Sequence, residues 1–166
     1  MLYFRDMESA VGRLRLVADE AALVAVLWEN DSPQRVRLGA MVEDVTHPVL
    51  QKAQQQLQAY FEGKLTVFDV PLGGVGTAFQ KEVWAALLTI PYGETRSYAQ
   101  LAQQIGRPAA VRAVGAANGR NPLSIIVPCH RVIGSNGLLT GFAGGMAAKA
   151  YLLNLENSRL KSSTPA

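Results

Sequence analysis

The chain has few residues that could form a disulfide or a metal site: its 166 residues include one cysteine and two histidines. One cysteine excludes an internal disulfide and any cysteine-rich zinc site, so we expect no metal. The G-x-G-x-x-G spacing of a dinucleotide site is also absent, and no other cofactor is expected. No apolar run approaches the roughly 20 residues of a membrane-spanning helix, and the opening M-L-Y-F-R-D-M-E is too acidic for a signal peptide. With 49% hydrophobic and 17% charged residues, the composition indicates a soluble globular protein of the cytoplasm.

Acidic residues are scarce in the second half of the chain. Residues 1–78 contain seven Lys/Arg and ten Asp/Glu, whereas residues 79–157 contain seven Lys/Arg and three Asp/Glu. This division indicates a polyanionic partner for the second half alone, although a chance excess would give the same totals.

The first half has the pattern of strands followed by one helix. Residues 11–18 alternate apolar and charged side chains as a half-buried strand does, and residues 21–28 predict a second, more buried strand. Residues 47–62 carry apolar side chains at helical spacing and predict an amphipathic helix. We expect His47, just before it, to be a surface residue without a partner.

The glycine-rich stretch P-L-G-G-V-G-T (71–77) predicts a linker, because three glycines in four residues do not suit a regular element. We therefore expect two domains, over residues 1–78 and 79–166. The predicted fold is α/β (α+β): a small N-terminal antiparallel sheet with a helix, joined to a mainly helical C-terminal domain.

Three helices are predicted after the linker. They cover residues 78–90, residues 96–106 with Ser97 as the N-cap, and residues 109–119 with Pro108 at the first position. Two short helices joined by a tight glycine-containing turn are a helix-turn-helix candidate.

The third of these helices consists almost entirely of small residues and has one charged residue, Arg112. Small side chains would let its backbone approach a nucleic-acid groove closely, and the arginine could reach a phosphate or wedge into the base stack. The same composition would also suit a helix that packs tightly against its neighbours. The small residues around Arg112 include Ala109, Ala110, Ala113 and Ala116.

The single cysteine lies in I-I-V-P-C-H-R-V-I-G (125–134), at the end of an apolar run. Residues 123–127 predict a short buried strand that Pro128 ends. A lone buried cysteine is commonly an inert small hydrophobe, but a thiol with an ordinary pKa of about 8.5 needs an activating group to ionise near neutrality. His130 could activate Cys129, and alternation along a strand predicts a contact through a water.

A histidine base of this kind needs an orienting carboxylate. The second half offers only Glu82, Glu94 and Glu156. Glu156 ends a predicted helix over 147–156, where a carboxylate opposes the helix dipole. A residue in so unfavourable a position often has a partner elsewhere, and His130 is the candidate.

Together these segments resemble a known family. The run R-A-V-G-A-A-N-G-R-N-P-L-S-I-I-V-P-C-H-R-V-I-G-S-N-G has P-Y-G-E-T-R-S-Y before it, and G-F-A-G-G and K-x-x-L-L-x-x-E behind it. It resembles the O6-alkylguanine-DNA alkyltransferases, also called methylated-DNA–protein-cysteine methyltransferases. The resemblance covers residues 79–157, while residues 1–78 match in length and pattern and look most like the short bacterial stand-alone form. It implies DNA repair by irreversible, single-turnover transfer of an alkyl group from guanine in double-stranded DNA to Cys129, with alkylthymine open as a second substrate.

The resemblance also implies roles for individual residues. Such proteins bind the minor groove and flip the damaged base, so Arg112 would fill the vacated space and Tyr98 would crowd the 3′ phosphate. Cys129, activated through water by His130 and Glu156, would keep the alkyl group as a thioether.

Further residues would support the reaction. Asn121 would hold the turn before the active-site strand, and Arg131 would be a structural salt-bridge or backbone donor. Two positions depart from the family pattern: Phe142 stands where many relatives have tyrosine, and Ala143 where several have serine. The Tyr98 hydroxyl or the Ala143 amide would stabilise the leaving guanine. The pocket would be lined by Tyr98, Val132, Phe142 and Ala143.

Two other classes of function stay open from the residues. A DNA-binding module that senses alkylated bases without repair would lack the nucleophile, whereas Cys129 is present. A cysteine hydrolase would bring its histidine from elsewhere in the fold, and the chain offers only His47. We expect a monomer without membrane contact, and cooperative assembly on DNA is open.

Overall fold

The computed structural model describes residues 1–135, 137 and 142–163, with the side chains of residues 158–163 left out. It divides into two compact units, Met1–Val75 and Gly76–Ala166. Both strands and helices are present, as the predicted mixed fold requires. The elements are β1 (Leu2–Met7), β2 (Leu14–Ala18), β3 (Leu23–Trp28), β4 (Met41–Glu43), α1 (Pro48–Phe61), α2 (Ala78–Leu87), β5 (Arg96–Ser97), α3 (Tyr98–Gln104), α4 (Val111–Gly119), a 3-10 helix (Cys129–Arg131), β6 (Val132–Ile133) and α5 (Met146–Ser163).

The first unit is built on a four-stranded sheet in the order β3-β2-β1-β4. The two predicted strands are β2 and β3, which pair antiparallel with each other, and β2 pairs antiparallel with β1. The predicted antiparallel sheet is therefore confirmed for β1, β2 and β3, and the short β4 at its edge runs parallel to β1. The alternation in β2 is confirmed, because Leu14 and Leu16 are fully buried while Arg15 pairs with Asp6 of β1 at 2.8 Å.

The predicted helix of the first unit is α1, and its N-cap is His47. His47 Nδ1 accepts a hydrogen bond from the Val49 amide at 3.2 Å, and Nε2 lies 3.0 Å from Asp19 O. The prediction of a surface histidine without a partner is therefore wrong: His47 is 8% exposed, and its ring takes the place of the usual serine or aspartate cap. Gly63 follows the helix with φ of +75°, as a terminating glycine does.

The second unit begins with helices whose starts are fixed by their sequence. Thr77 and Gln80 form a reciprocal capping box at α2, and Ser97 and Gln100 form one at α3. The prediction of Ser97 as an N-cap is confirmed. Gly106, with φ of +76°, lies in the turn after α3, which leads to α4 as in a helix-turn-helix.

The small-residue helix α4 starts later than the sequence predicts. Pro108 and Ala109 lie in a turn, Ala110 is the N-cap, and the first helical residue is Val111. The Ala110 amide donates to Arg107 O at 2.9 Å and closes that turn. The prediction of Pro108 at the first helical position, with Ala109 and Ala110 in the helix, is therefore wrong.

The predicted strand over residues 123–127 is a turn. The Val127 amide donates to Leu123 O at 2.8 Å within the segment, and Ile125 has φ of +73°, which no strand residue adopts. The segment that carries the cysteine is thus a turn, a 3-10 helix and the two-residue β6, which pairs parallel with β5.

The last helix, α5, lies against the 3-10 helix. Lys149, Leu152 and Glu156 are all buried, and spacings of three and four residues place them on one helical face. None of the helices in residues 1–135, 137 and 142–163 is long and apolar enough to cross a membrane.

Candidate active site

Cys129 begins the one-turn 3-10 helix directly after Pro128. Backbone hydrogen bonds constrain the chain on both sides of Cys129, because the Cys129 amide donates to Val127 O at 2.8 Å and the Arg131 amide donates to Pro128 O at 3.0 Å. Cys129 is 4% exposed. Its thiol is therefore held in a buried position on a constrained backbone.

Asn121 braces the turn that leads to Cys129. Its Nδ2 donates to Val127 O at 2.8 Å, and its Oδ1 accepts from the Leu123 amide at 3.0 Å. Within this span, the left-handed conformation of Ile125 costs a β-branched residue on the order of 1–3 kcal/mol. Two buried hydrogen bonds from one side chain thus stabilise a backbone that Ile125 disfavours.

The Glu156 carboxylate, brought in by α5, joins the two residues after the cysteine. His130 Nε2 donates to Oε2 at 2.6 Å, and Arg131 donates from Nε to Oε1 at 2.8 Å and from Nη2 to Oε2 at 3.1 Å. The Gly93 amide donates to Oε1 at 3.1 Å, and Arg131 Nη1 donates to Ile90 O at 2.7 Å. His130, Arg131 and Glu156 are all buried. The imidazole is therefore fixed by a carboxylate that is itself fixed by a guanidinium.

These contacts define the protonation states of the pair. Burial opposes ionisation of Glu156, but the hydrogen bonds and charges of His130 and Arg131 outweigh it and lower its pKa from 4.5 to about 2. Burial lowers the pKa of His130 below its usual value, against the attraction of Glu156. The imidazole is therefore neutral near pH 7, and its one proton lies on Nε2, which faces the carboxylate. Nδ1 is left as an acceptor, buried and without a hydrogen-bond partner among the described residues.

Cys129 and His130 lie in a 3-10 helix, where side chains do not alternate between two faces. The prediction that their side chains diverge as in a strand is therefore wrong. A contact through water stays a proposal.

Within residues 1–135, 137 and 142–163, no group of three or more His, Cys, Asp or Glu side chains could hold a metal ion.

Lys149 is a fully buried cation that the sequence analysis missed. Its Nζ donates to Val132 O at 2.6 Å and lies 5.9 Å from the centre of the Phe142 ring. Burial lowers its pKa, and an interaction with Cys129 acts in the opposite direction. The signal was present in K-x-x-L-L-x-x-E, which places Lys149 two helical turns before Glu156 on the same face.

The predicted DNA-facing residues lie on α3, on α4 and in the turn between them. The half-buried Tyr98 begins α3, and its ring faces α4 at Gly115, where an added Cβ would lie 3.7 Å from the ring. Trp84 Nε1 of α2 donates to Ala117 O at 2.9 Å and ties α4 to the unit. Arg112, Ala113 and Ala116 are exposed on α4, while Ala109 is exposed and Ala110 is half-buried in the preceding turn.

The predicted pocket residues surround Lys149 only in part. Val132 is fully buried, Phe142 is half-buried beside Nζ, and the next residue, Ala143, is exposed. The residues 136 and 138–141, which precede Phe142, lie outside the described part of the chain.

The second unit combines a buried cysteine, a histidine oriented by a carboxylate, and a helix-turn-helix with an exposed arginine. This combination is typical of a DNA-binding protein with a cysteine nucleophile. Two family models match the chain: the DNA binding domain of 6-O-methylguanine DNA methyltransferase over residues 78–158, and the ribonuclease-like domain of the same family over residues 2–73. The chain belongs to the 6-O-methylguanine DNA methyltransferase family.

Curated relatives and solved structures agree with this assignment. The methylated-DNA–protein-cysteine methyltransferase of Methanosarcina acetivorans is 49% identical over 157 residues, which cover 95% of this chain and 99% of the relative. The Mycobacterium tuberculosis H37Rv protein of the same name is 50% identical over 162 residues, covering 96% and 94%. The crystal structure of Mycobacterium tuberculosis OGT in complex with DNA matches with a TM-score of 0.88 at 49% identity, covering 95% of this chain and 94% of that one.

Proposed function

We propose that this protein repairs alkylated DNA by transferring an alkyl group from O6 of guanine in duplex DNA to Sγ of Cys129. The observation that carries the proposal is the 2.6 Å hydrogen bond between His130 Nε2 and Glu156 Oε2, because it leaves the buried Nδ1 as an acceptor for the thiol proton. The names of the relatives and the DNA complex of one of them support this assignment.

The reaction follows from these groups. Cys129 gives its proton to His130 Nδ1 through one water, and Glu156 stabilises the imidazolium that forms. The thiolate donates an electron pair to the alkyl carbon while the bond from that carbon to O6 breaks. The guanine leaves with the bonding electrons and takes up one proton from water, while the His130 imidazolium releases its proton to water, so guanine is restored, His130 is neutral again and Cys129 becomes a thioether. The proposed reaction does not regenerate the thiol, so each molecule acts once.

The helix-turn-helix would deliver the base to this site. We place α4 in the minor groove, where the small residues at Ala113 and Ala116 allow close approach and the exposed Arg112 enters the space of the flipped nucleotide. Tyr98, held against Gly115, would crowd the 3′ phosphate. The turn residues Ala109 and Ala110 would lie beside the backbone.

The leaving base needs a donor near O6 as its charge develops. The Tyr98 hydroxyl and the Ala143 amide are the candidate donors, with Val132 and Phe142 as pocket walls. We further propose that the protein acts in the cytoplasm as a monomer, with cooperative assembly on DNA and activity on alkylthymine as open extensions.

The proposal is tested by counting turnovers with excess substrate. The protein is incubated with a molar excess of a duplex containing O6-methylguanine, and the guanine restored is measured by chromatography of the hydrolysed DNA. We expect the yield to stop at one guanine per chain, and a yield that continues beyond one would contradict single-use transfer. Cys129→Ser is the matched control: it should bind the duplex as the wild type does and restore no guanine. Binding by the wild type without any restored guanine would favour a lesion-sensing module instead.

A further inference from the structure

Gly76, the first residue of the second unit, lies against the indole ring of Trp84. A Cβ at position 76 would lie 2.5 Å from Trp84 Cζ3 and 2.6 Å from Cη2, whereas carbon atoms in contact are about 3.5–4.0 Å apart. The φ of Gly76 is not positive, so an alanine could adopt its backbone conformation. The position therefore excludes a side chain because of the ring and not because of the backbone.

Both sides of this contact are held in place. The Thr77 amide donates to Gln80 Oε1 at 3.0 Å, and Thr77 Oγ1 accepts from the Gln80 amide at 3.1 Å. This capping box fixes the backbone directly after Gly76. The indole is held by the hydrogen bond from Trp84 Nε1 to Ala117 O at 2.9 Å. A side chain at position 76 would therefore displace the indole and weaken its hydrogen bond to α4.

The carbonyl that Trp84 binds lies in the last turn of α4. The Arg120 amide donates to the same Ala117 oxygen at 3.2 Å, and the Asn121 amide donates to Asn118 O at 3.3 Å. Carbonyls at the end of a helix lack the usual intrahelical partners, so a donor from α2 fixes this turn where its own hydrogen bonds are few. Trp84 thereby fixes the turn that ends at Asn121.

Asn121 transmits this constraint to the nucleophile. Its Nδ2 donates to Val127 O at 2.8 Å, and the Cys129 amide donates to the same oxygen at 2.8 Å. Its Oδ1 accepts from the Leu123 amide at 3.0 Å. One helical turn and three hydrogen bonds thus connect the Trp84 indole to the backbone of Cys129.

We propose that Trp84 is a positioning residue for Cys129, and that position 76 is a glycine because it leaves room for the Trp84 indole. This role deepens the proposed function, since it takes Cys129 as the nucleophile of the transfer. Reaction requires the sulfur to be aligned with the alkyl carbon, and a displacement of about 1 Å can lower a rate about 100-fold. The rate of the folded protein should therefore depend on a glycine and a tryptophan more than 40 positions before the cysteine.

The first test compares Gly76→Ala, Trp84→Phe and the double variant. The rate constant of alkyl transfer from free O6-methylguanine base is measured far below the unfolding temperature, so that it describes folded molecules alone. Each single variant should lower the rate constant about tenfold or more. The double variant should be no slower than Trp84→Phe, because phenylalanine lacks Cζ3 and Cη2, the atoms that an alanine at position 76 would meet.

Gly39→Ala is the matched control for the added methyl group. The φ of Gly39 is also not positive, and an added Cβ there would have no heavy atom within 4 Å beyond its chain neighbours. Its rate constant should equal that of the wild type. Wild-type rate constants in Gly76→Ala and Trp84→Phe would overturn the proposal even if both variants unfold at lower urea, because a merely stabilising contact leaves the rate of folded molecules unchanged. Losses that multiply in the double variant would overturn the role given to Gly76.

The second test uses no alkylated base. Amide hydrogen exchange is followed by NMR in Trp84→Phe at Leu123 and Cys129, with the fully buried Leu152 of α5 as the reference. Exchange should be about tenfold or more faster at Leu123 and Cys129, with a smaller increase at Leu152. Equal increases at all three amides would indicate a general loss of stability and would contradict the positioning role. If the wild type transfers no alkyl group but the exchange pattern is as expected, the positioning role holds and the proposed function alone is contradicted.

Discussion

His130 and Glu156 are 26 positions apart in the chain, and their side chains meet at 2.6 Å with both residues buried. The histidine belongs to the 3-10 helix that holds Cys129, and the glutamate belongs to α5. The Glu156 carboxylate also binds Arg131, so the group that orients the imidazole also attaches α5 to the segment that contains Cys129. Catalysis and stability are therefore coupled at this carboxylate.

Replacement of Glu156 tests this coupling. In Glu156→Gln, Arg131 would be left as a buried cation without its anion, so we expect a loss of about 3–5 kcal/mol in the free energy of unfolding. Urea titration followed by circular dichroism measures this loss. Glu94→Gln, which breaks the exposed pair with Arg96, should cost less than about 1 kcal/mol. Similar small losses in both variants would contradict the role given to Glu156.

The stabilisation from Glu156 should also depend on pH in a defined direction. Its pKa is lowered from 4.5 to about 2 in the folded protein, so its contribution is complete above pH 4.5 and is lost as the pH falls toward 2. This difference in pKa corresponds to about 3 kcal/mol. Urea midpoints of wild type and Glu156→Gln between pH 7 and 2 should therefore converge as the pH falls. Parallel curves over this range would show that ionised Glu156 contributes no such stability.

Asn121→Ala tests the brace behind the cysteine. The substitution leaves the Leu123 amide without its partner and leaves Val127 O with the Cys129 amide alone, so the hydrogen bonds that hold the turn at Ile125 are lost and we expect a loss of about 2–4 kcal/mol. The transfer rate should fall as well, because the 3-10 helix begins directly after this turn. Asn30→Ala, at an exposed turn of the first unit, should change the free energy of unfolding by about 0.5 kcal/mol or less. A folded Asn121→Ala with wild-type stability and rate would remove Asn121 from the account.

Much of the fold could be predicted from the sequence where the signal is local. The capping residue Ser97, the amphipathic α1 and the alternation in β2 each depend on neighbours a few positions away, and all three are confirmed. The start of α4 was placed wrongly, because Pro108 suits a turn as well as a first helical position.

The errors arise from side-chain hydrogen bonds and packing that an apolar pattern does not show. An apolar run of I-I-V predicts a strand, but hydrogen bonds from Asn121 impose a turn with Ile125 at positive φ. In the first unit, His47 caps α1 through Nδ1, and Asp19 O, 28 positions away in the chain, lies beside Nε2. Lys149 looks like a surface lysine of a helix until the helix is placed against the cysteine segment.

Arg112 tests how the base reaches the site. If its side chain occupies the space of a flipped nucleotide, Arg112→Ala should lower the rate with alkylated duplex by about tenfold or more and change the rate with free O6-alkylguanine base by less than about twofold. Arg112→Lys keeps the charge and separates attraction to phosphate from insertion. An equal loss on duplex and free base in Arg112→Ala would contradict the base-flipping role.

The measurement that tests the central claim most directly is the intact mass of the protein after incubation with an O6-methylguanine duplex, followed by peptide mapping. We predict a gain of one methylene per chain, located on Cys129, with no gain in Cys129→Ser. An unchanged mass with DNA binding retained, or a methyl group on another residue, would contradict transfer to Cys129.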